Sequence, residues 1–276
     1  MRMIPLEDNF SDVIGKAQRG LRLSDTELAE KARVSSQKIR QLREGTFDEL
    51  AVVRVAPVLG LAARQLCDLA QGQWQPKRTS AIEGLEVFTT AYHDMTVNAF
   101  LVWDAKSKDA IAFDTGADCN GMLESVKQHG LTVQLILITH AHPDHIADLA
   151  RLRHETGAAV WTPEDEHAPG AERFEEGKHW QLAGLDVDTR KTWGHSPGGM
   201  TFVVNGLAKK LAIVGDAIFA GSMGGGNVSY RAALQTNLDK ILTLPDETII
   251  CPGHGPLTTV GEEKRHNPFF AGIVDA

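Results

Sequence analysis

The chain has 276 residues, 42% of them hydrophobic, which is enough to bury a full core and to form one large domain beside a small one. Its three cysteines, Cys67, Cys119 and Cys251, are too few and too scattered for a disulfide framework or a thiolate metal site, so any metal here must take nitrogen and oxygen ligands. The formal charge of −8 is unevenly divided, with 13 Lys+Arg against 10 Asp+Glu in residues 1–78 and a strongly acidic remainder.

Helical signals come first in chain order. Ser24 followed by Glu27 makes a capping box ahead of Leu28, Ala29 and Ala32, so a helix is expected just after Ser24. Ser35 can cap a second helix with Ile39 and Leu42 on its apolar face and Gly45 as its stop, leaving Arg33 and Val34 between the two. The stretch LSDTELAEKARVSSQKIRQLREG, with the apolar region Val52 to Leu69 behind it, resembles the λ-repressor and Cro-like helix-turn-helix family. It departs from that family at Arg33, where glycine is usual; a left-handed backbone there would cost a residue with a side chain about 1 kcal/mol. The resemblance implies DNA contacts from Lys38, Arg40 and Arg43 on the second helix. The negative charge of the whole chain and the weak positive balance of this part disfavour DNA. The alternative is a small bundle that covers a face of the larger domain or joins two copies as a homodimer.

Gln71 to Ser80 is polar, contains Pro76 and has no apolar period, so it reads as a connector. The expected division is a helical domain over residues 1–70, a linker over 71–81 and a second domain over 82–276. No apolar run is long enough to cross a bilayer, and the first nine residues lack an apolar secretion segment, which points to the cytoplasm.

The second part alternates β-rich runs with helical ones. Strands are expected at Glu86 to Thr89, Phe100 to Trp103, Ala110 to Phe113 and Val133 to Ile138, and helices at Cys119 to His129 and Ile146 to Glu155. Later strands are expected at Asp186 to Thr189, Met200 to Val204, Leu211 to Val214 and Thr248 to Cys251, each closed by a loop bearing Gly, Pro or Asp. After the apolar run LILI the chain presents His140, His142, Asp144 and His145 within six residues. Three imidazoles and a carboxylate at that density have few structural uses, and they suit zinc, iron or manganese.

THAHPDH matches the HxHxDH signature of the metallo-β-lactamase superfamily, and GHSPGG with His195, VGDAIF with Asp216 and CPGHGP with His254 follow in the family's order. The chain resembles that superfamily over roughly residues 82 to 270. The resemblance implies an α+β fold, an αββα sandwich, carrying a small all-α N-terminal domain. It implies one metal on His140, His142 and His195, a second on Asp144, His145 and His254, and Asp216 bridging them. Two divalent ions, zinc first among them, would share a hydroxide that attacks a substrate carbonyl, with Asp144 orienting it or carrying its proton.

Within the superfamily, GDAIFAGSMG and the terminal PGHGPLTTVGEEKRHNPFF resemble glyoxalase II, the hydroxyacylglutathione hydrolases. A small-molecule thioester or related ester is therefore the expected substrate. Gly225-Gly226-Asn227-Val228 stands where relatives commonly carry an Arg-Thr-Asp-Phe-like run, which leaves the substrate open. The alternatives are a lactonase or other hydrolase of the same fold, a mononuclear-iron persulfide dioxygenase, or a metabolite-sensing DNA-binding regulator. Tyr230, Arg231, Lys264 and Arg265 are conceivable substrate contacts but read as surface or packing residues. Asp114 reads as support beneath the site at most, Cys251 as a small buried thiol, and His179 as a histidine without partners at metal spacing.

Overall fold

The computed structural model describes residues 4–272. Five helices come first: α1 (Phe10–Gly20), α2 (Asp25–Ala32), α3 (Ser36–Arg43), α4 (Glu49–Val58) and α5 (Ala63–Ala70). The Ser24–Glu27 capping box forms in full, with Ser24 Oγ accepting from the Glu27 amide and Glu27 Oε2 accepting from the Ser24 amide at 2.8 Å. Arg33 closes α2 in the left-handed region at φ 54°, the strained conformation expected there.

The rest of the chain builds two six-stranded sheets. The first contains β1 (Leu85–Tyr92), β2 (Met95–Trp103), β3 (Asp109–Phe113), β4 (Thr132–Leu137), β5 (Ala159–Pro163) and β6 (Glu172–Phe174), joined in that order. Between its strands lie α6 (Asn120–His129), the single turn α7 (Pro143–Ile146) and α8 (Leu149–Thr156). The second contains β7 (His179–Leu182), β8 (Leu185–Lys191), β9 (Met200–Asn205), β10 (Leu211–Gly215), β11 (Ile249–Pro252) and β12 (Thr258–Thr259), again in chain order. Two helices complete it, α9 (Tyr230–Thr236), which runs on into a π-turn at Asn237–Ile241, and α10 (Val260–His266).

Burial explains the layering. Phe100, Ile111 and Phe113 of the first sheet pack against Phe202, Val204 and Ile213 of the second in one cluster between the sheets. The outer face of the first sheet is closed by Met122 and Leu123 of α6 and Leu152 of α8. Strands β3 and β10 are consequently buried on both faces and read as continuous apolar runs.

The second sheet's outer face is covered differently. Val203, Ala212, Val214 and Ile250 share a single apolar cluster with Val13 and Ile14 of α1, Ile39 and Leu42 of α3, Leu66 of α5 and Phe269–Phe270. Polar contacts tie the same surfaces together: the Ala62 amide donates to Pro268 O at 2.8 Å, and Lys16 Nζ donates to Met223 O at 2.9 Å. A Cβ on Gly20 would stand 2.2 Å from Tyr230 Cγ, so the last residue of α1 must lack a side chain to lie on that ring. Gly20→Ala is expected to cost about 1–3 kcal/mol through overpacking, measured by chemical unfolding; an unchanged midpoint would mean that the helix does not seat on α9 this closely.

Candidate metal centre

Four loops at one edge of the two sheets carry the predicted ligands. The chain leaves β4 through His140 and His142, and Pro143 starts α7 so that Asp144 and His145 sit in its first turn. His195 lies in the loop from β8 to β9, Asp216 directly follows β10, and His254 follows β11. The seven side chains converge. His140, His142, His195 and Asp216 form one group able to hold a metal ion, and Asp144, His145 and His254 a second.

The spacing within the groups fits coordination. His142 Nδ1 lies 3.1 Å from both His140 Nε2 and His195 Nε2, and His195 Nε2 lies 3.3 Å from Asp216 Oδ2. In the second group, Asp144 Oδ2 is 3.3 Å from His254 Nε2 and 3.5 Å from His145 Nε2. Ligand atoms about 2.0–2.1 Å from a common centre stand about 3.3 Å apart at the corners of a tetrahedron. Asp216 faces both groups, with Oδ1 3.3 Å from His145 Nε2 and Oδ2 3.3 Å from His254 Nε2. His145 Nε2 and Asp216 Oδ1 are buried without a hydrogen-bond partner, an expensive arrangement unless a cation satisfies them.

The imidazoles are held from behind. His145 Nδ1 donates to Asp114 Oδ2 at 2.8 Å, His195 Nδ1 to Gly225 O at 3.0 Å and His254 Nδ1 to Thr96 O at 2.6 Å. Thr139 Oγ1 donates to Asp114 Oδ2, so its lone pair receives His140 Nδ1 at 3.1 Å. Each contact fixes the proton on Nδ1 and directs Nε2 inward, the nitrogen that a metal would take once it carries no proton. Asp114 thus supports two ligand residues. It adopts φ 56° to do so, a left-handed conformation that aspartate tolerates.

Electrostatics separates the histidines. Burial opposes charge on His145, yet the Asp114 and Asp216 carboxylates outweigh it and lift its pKa to about 10. Burial likewise opposes charge on His254, and Asp216 and Asp144 raise it to about 11. His140 goes well below the ordinary histidine value, through burial first and then its imidazole neighbours. Asp216 is desolvated, but His254 and His145 hold it well below the usual carboxylate range.

Several supports lie outside the sequence motifs. Glu166 is buried and joins two ligand loops, accepting from the Ala141 amide at 2.9 Å and the Gly198 amide at 2.8 Å. Asn98 Nδ2 donates to Pro252 O and Gly255 O on either side of His254; a lone amide in the apolar strand TVNAFLVW was a readable hint. The N-terminal segment also reaches the site, since Gly255 packs against Pro5 and Glu7, and Glu7 feels the charges of His254 and Asp216.

Other predicted residues lie elsewhere. Lys38 pairs with Asp48 at 2.8 Å and Arg43 with Asp25 at 2.9 Å, while Arg40 is exposed. Lys264 pairs with Asp246 at 2.7 Å, and Tyr230 is buried. Cys251 is fully buried, which pushes its thiol pKa upward. The expectation that His179 lacks partners is corrected: the β7–β8 hairpin places it 2.8 Å from Asp186 and 3.0 Å from Asp188. Its two ring nitrogens face two different carboxylates at the protein surface, brought together by cross-strand register.

The sequence profile of the metallo-beta-lactamase superfamily matches residues 94–254, which include all seven convergent side chains. The chain belongs to the metallo-beta-lactamase superfamily. Hydroxyacylglutathione hydrolase GloC of Haemophilus influenzae is 30% identical over 198 residues, covering 63% of this chain and 92% of that protein. Among solved structures, the BLEG-1 B3 metallo-beta-lactamase is 27% identical with a TM-score of 0.59, covering 68% of this chain and all of that one. TTHA1623 in a di-iron-bound form is 29% identical with a TM-score of 0.54, covering 67% of this chain and all of that one. The superfamily match begins beyond the five N-terminal helices, so the metallo-beta-lactamase fold of this chain carries them as an addition.

Proposed function

We propose that the protein is a two-metal hydrolase of a thioester or related ester, with zinc as the first metal to test. The observation that carries the proposal is Asp216, whose two oxygens face both histidine groups. His140, His142 and His195 would hold one divalent ion, Asp144, His145 and His254 the other, and Asp216 both. Such a pair lowers the pKa of a shared water toward about 7 and polarises a carbonyl oxygen.

The protein's own groups supply the rest. Burial raises and His254 with His145 lower the pKa of Asp144, leaving it ionised at neutral pH. With one Asp144 oxygen directed at the histidines, the other is the atom suited to orient a water or take its proton. A thioester suits this set because a thiolate leaves without being protonated. The hydroxyacylglutathione hydrolase relative supports the thioester, and the di-iron-bound relative makes iron the second metal to test. DNA is left out, since two of the three candidate contacts on α3 are already paired with carboxylates.

The test is elemental analysis of the purified protein together with hydrolysis of S-lactoylglutathione. About two metals per chain and turnover are expected. Two metals without turnover would discard glutathione thioesters and direct the search to lactones and β-lactams. Fewer than two metals in the active protein would overturn the two-metal proposal.

Loading has its own pH signature. With pKa values of about 10 and 11, His145 and His254 are protonated at pH 7 in the metal-free protein, and their Nε2 lone pairs must be freed before they can ligate. About two protons should therefore leave on metal binding, and affinity should rise with pH. Calorimetric titration in two buffers of different ionisation enthalpy reads this directly; equal heats would contradict it.

A further inference from the structure

The five N-terminal helices bring a set of cations to the edge of the metal centre. A cleft of about 440 Å³ opens between the end of α1 and the start of α9. Lys16, Arg19 and Arg22 line it from one side and Arg231 from the other, with the backbone of Gly225 and Gly226 as an inner wall. That wall belongs to the centre already described, because Gly225 O is the acceptor that holds His195 Nδ1.

The charge in the cleft is unmatched. Lys16 is paired with Asp8 and also donates to Met223 O. The side chains of Arg19, Arg22 and Arg231, by contrast, make no hydrogen bond or ion pair among the described residues. Three solvated guanidinium groups around one cleft, in a chain of net charge −8, create a local positive potential without a partner in the protein.

The backbone is arranged around this cluster. Arg22 stands at φ 56°, a conformation that costs a residue with a side chain about 1 kcal/mol and that glycine would adopt freely. An arginine occupies that strained position, and its side chain reaches the cleft. Gly20 packs on Tyr230 so closely that the two walls are held in fixed relation. On the opposite wall, a Cβ on Gly226 would stand 2.4 Å from Tyr230 Cα, so only glycine lets this loop pack against the start of α9 and fix the shape of the wall.

We infer that this cleft binds an oxyanion, a carboxylate or a phosphate, at the non-reacting end of the ester or thioester cleaved at the adjacent centre. The inference rests on the hydrolase proposal for the identity of the reacting end. Planar guanidinium forks match both oxyanions with paired hydrogen bonds, so arginine on both walls selects charge and geometry together. The helical addition is then part of the binding site: it supplies three of the four cations.

The test uses the full-length, metal-loaded protein and stable ketone analogues of a short thioester, CH3–CO–CH2–S–(CH2)n–X. X is carboxylate, phosphate or carboxamide over a range of spacer lengths, and affinity is read by calorimetry. At the spacer that reaches the cleft, a charged analogue should bind about tenfold or more tightly than its carboxamide. The preference should shrink as ionic strength rises. Whichever charged analogue binds better distinguishes carboxylate from phosphate. In a variant carrying R19Q, R22Q and R231Q, with unchanged circular dichroism and metal content, charged and neutral analogues should bind equally. Equal binding to the unaltered protein at every spacer, or a preference that survives in the variant, would overturn the inference. If the preference holds but the matching thioesters are not hydrolysed, the cleft stands and the hydrolase proposal falls. If the thioesters are hydrolysed with no dependence on charge, the reverse is true.

Discussion

Asp216→Ala should remove both bound metals and reduce hydrolysis by more than about a hundredfold, beyond the range reached by losing a group that merely supports a ligand. The argument is geometric first. Asp216 places one oxygen 3.3 Å from His145 Nε2 and the other 3.3 Å from both His195 Nε2 and His254 Nε2, so no other side chain of the cluster serves both groups. It is also electrostatic, because Asp216 is among the carboxylates that stabilise charge on His145 and His254. Without it, five histidines face one another with only Asp144 as an anionic ligand. Elemental analysis and turnover on the same sample check this; two metals retained in Asp216→Ala would show that the groups are independent.

The second large effect is expected from a residue that touches no substrate. Asp114→Asn keeps the shape of the side chain and tolerates the left-handed backbone at φ 56°. The native carboxylate accepts from three donors, the Thr139 amide and hydroxyl and His145 Nδ1. An amide must turn its NH2 toward at least one of them, so a donor faces a donor in a buried place. Metal affinity should fall by about 10- to 100-fold, chiefly at the Asp144, His145 and His254 group. Competition with a chelator measures it. Unchanged affinity would mean that His145 is held in place by packing alone.

How legible these parts were in the sequence follows from how they are built. The ligands are crowded into short loops after apolar strands, so HAHPDH and the three later motifs are visible without any tertiary information. Glu166 is not visible, because its two acceptor contacts join loops that meet only after both sheets have formed. Strands with continuous apolar burial, such as β3 and β10, could be read directly. The short β6 and β7, three and four residues long, span too little chain for a period to stand out and owe their pairing to their neighbours. At the N-terminus, Asn9 with Asp12 caps α1, and Phe10, Val13, Ile14 and Ala17 mark its buried face. What those residues cover could not be read, since the contact of Gly20 with Tyr230 joins positions far apart in the chain.

The apolar cluster shared by the N-terminal helices and the outer face of the second sheet is expected to make them unfold as one cooperative unit. Deleting the helices would not release a trimmed enzyme. It would bare Val203, Ala212, Val214 and Ile250, a hydrophobic surface of the kind that drives aggregation. It would also withdraw Lys16 from Met223 and Asp8 from Ser222, on the same loop that holds His195. In this protein, the cover of the sheet and the rim of the metal centre are one piece of chain, so a change that loosens the first disturbs the second.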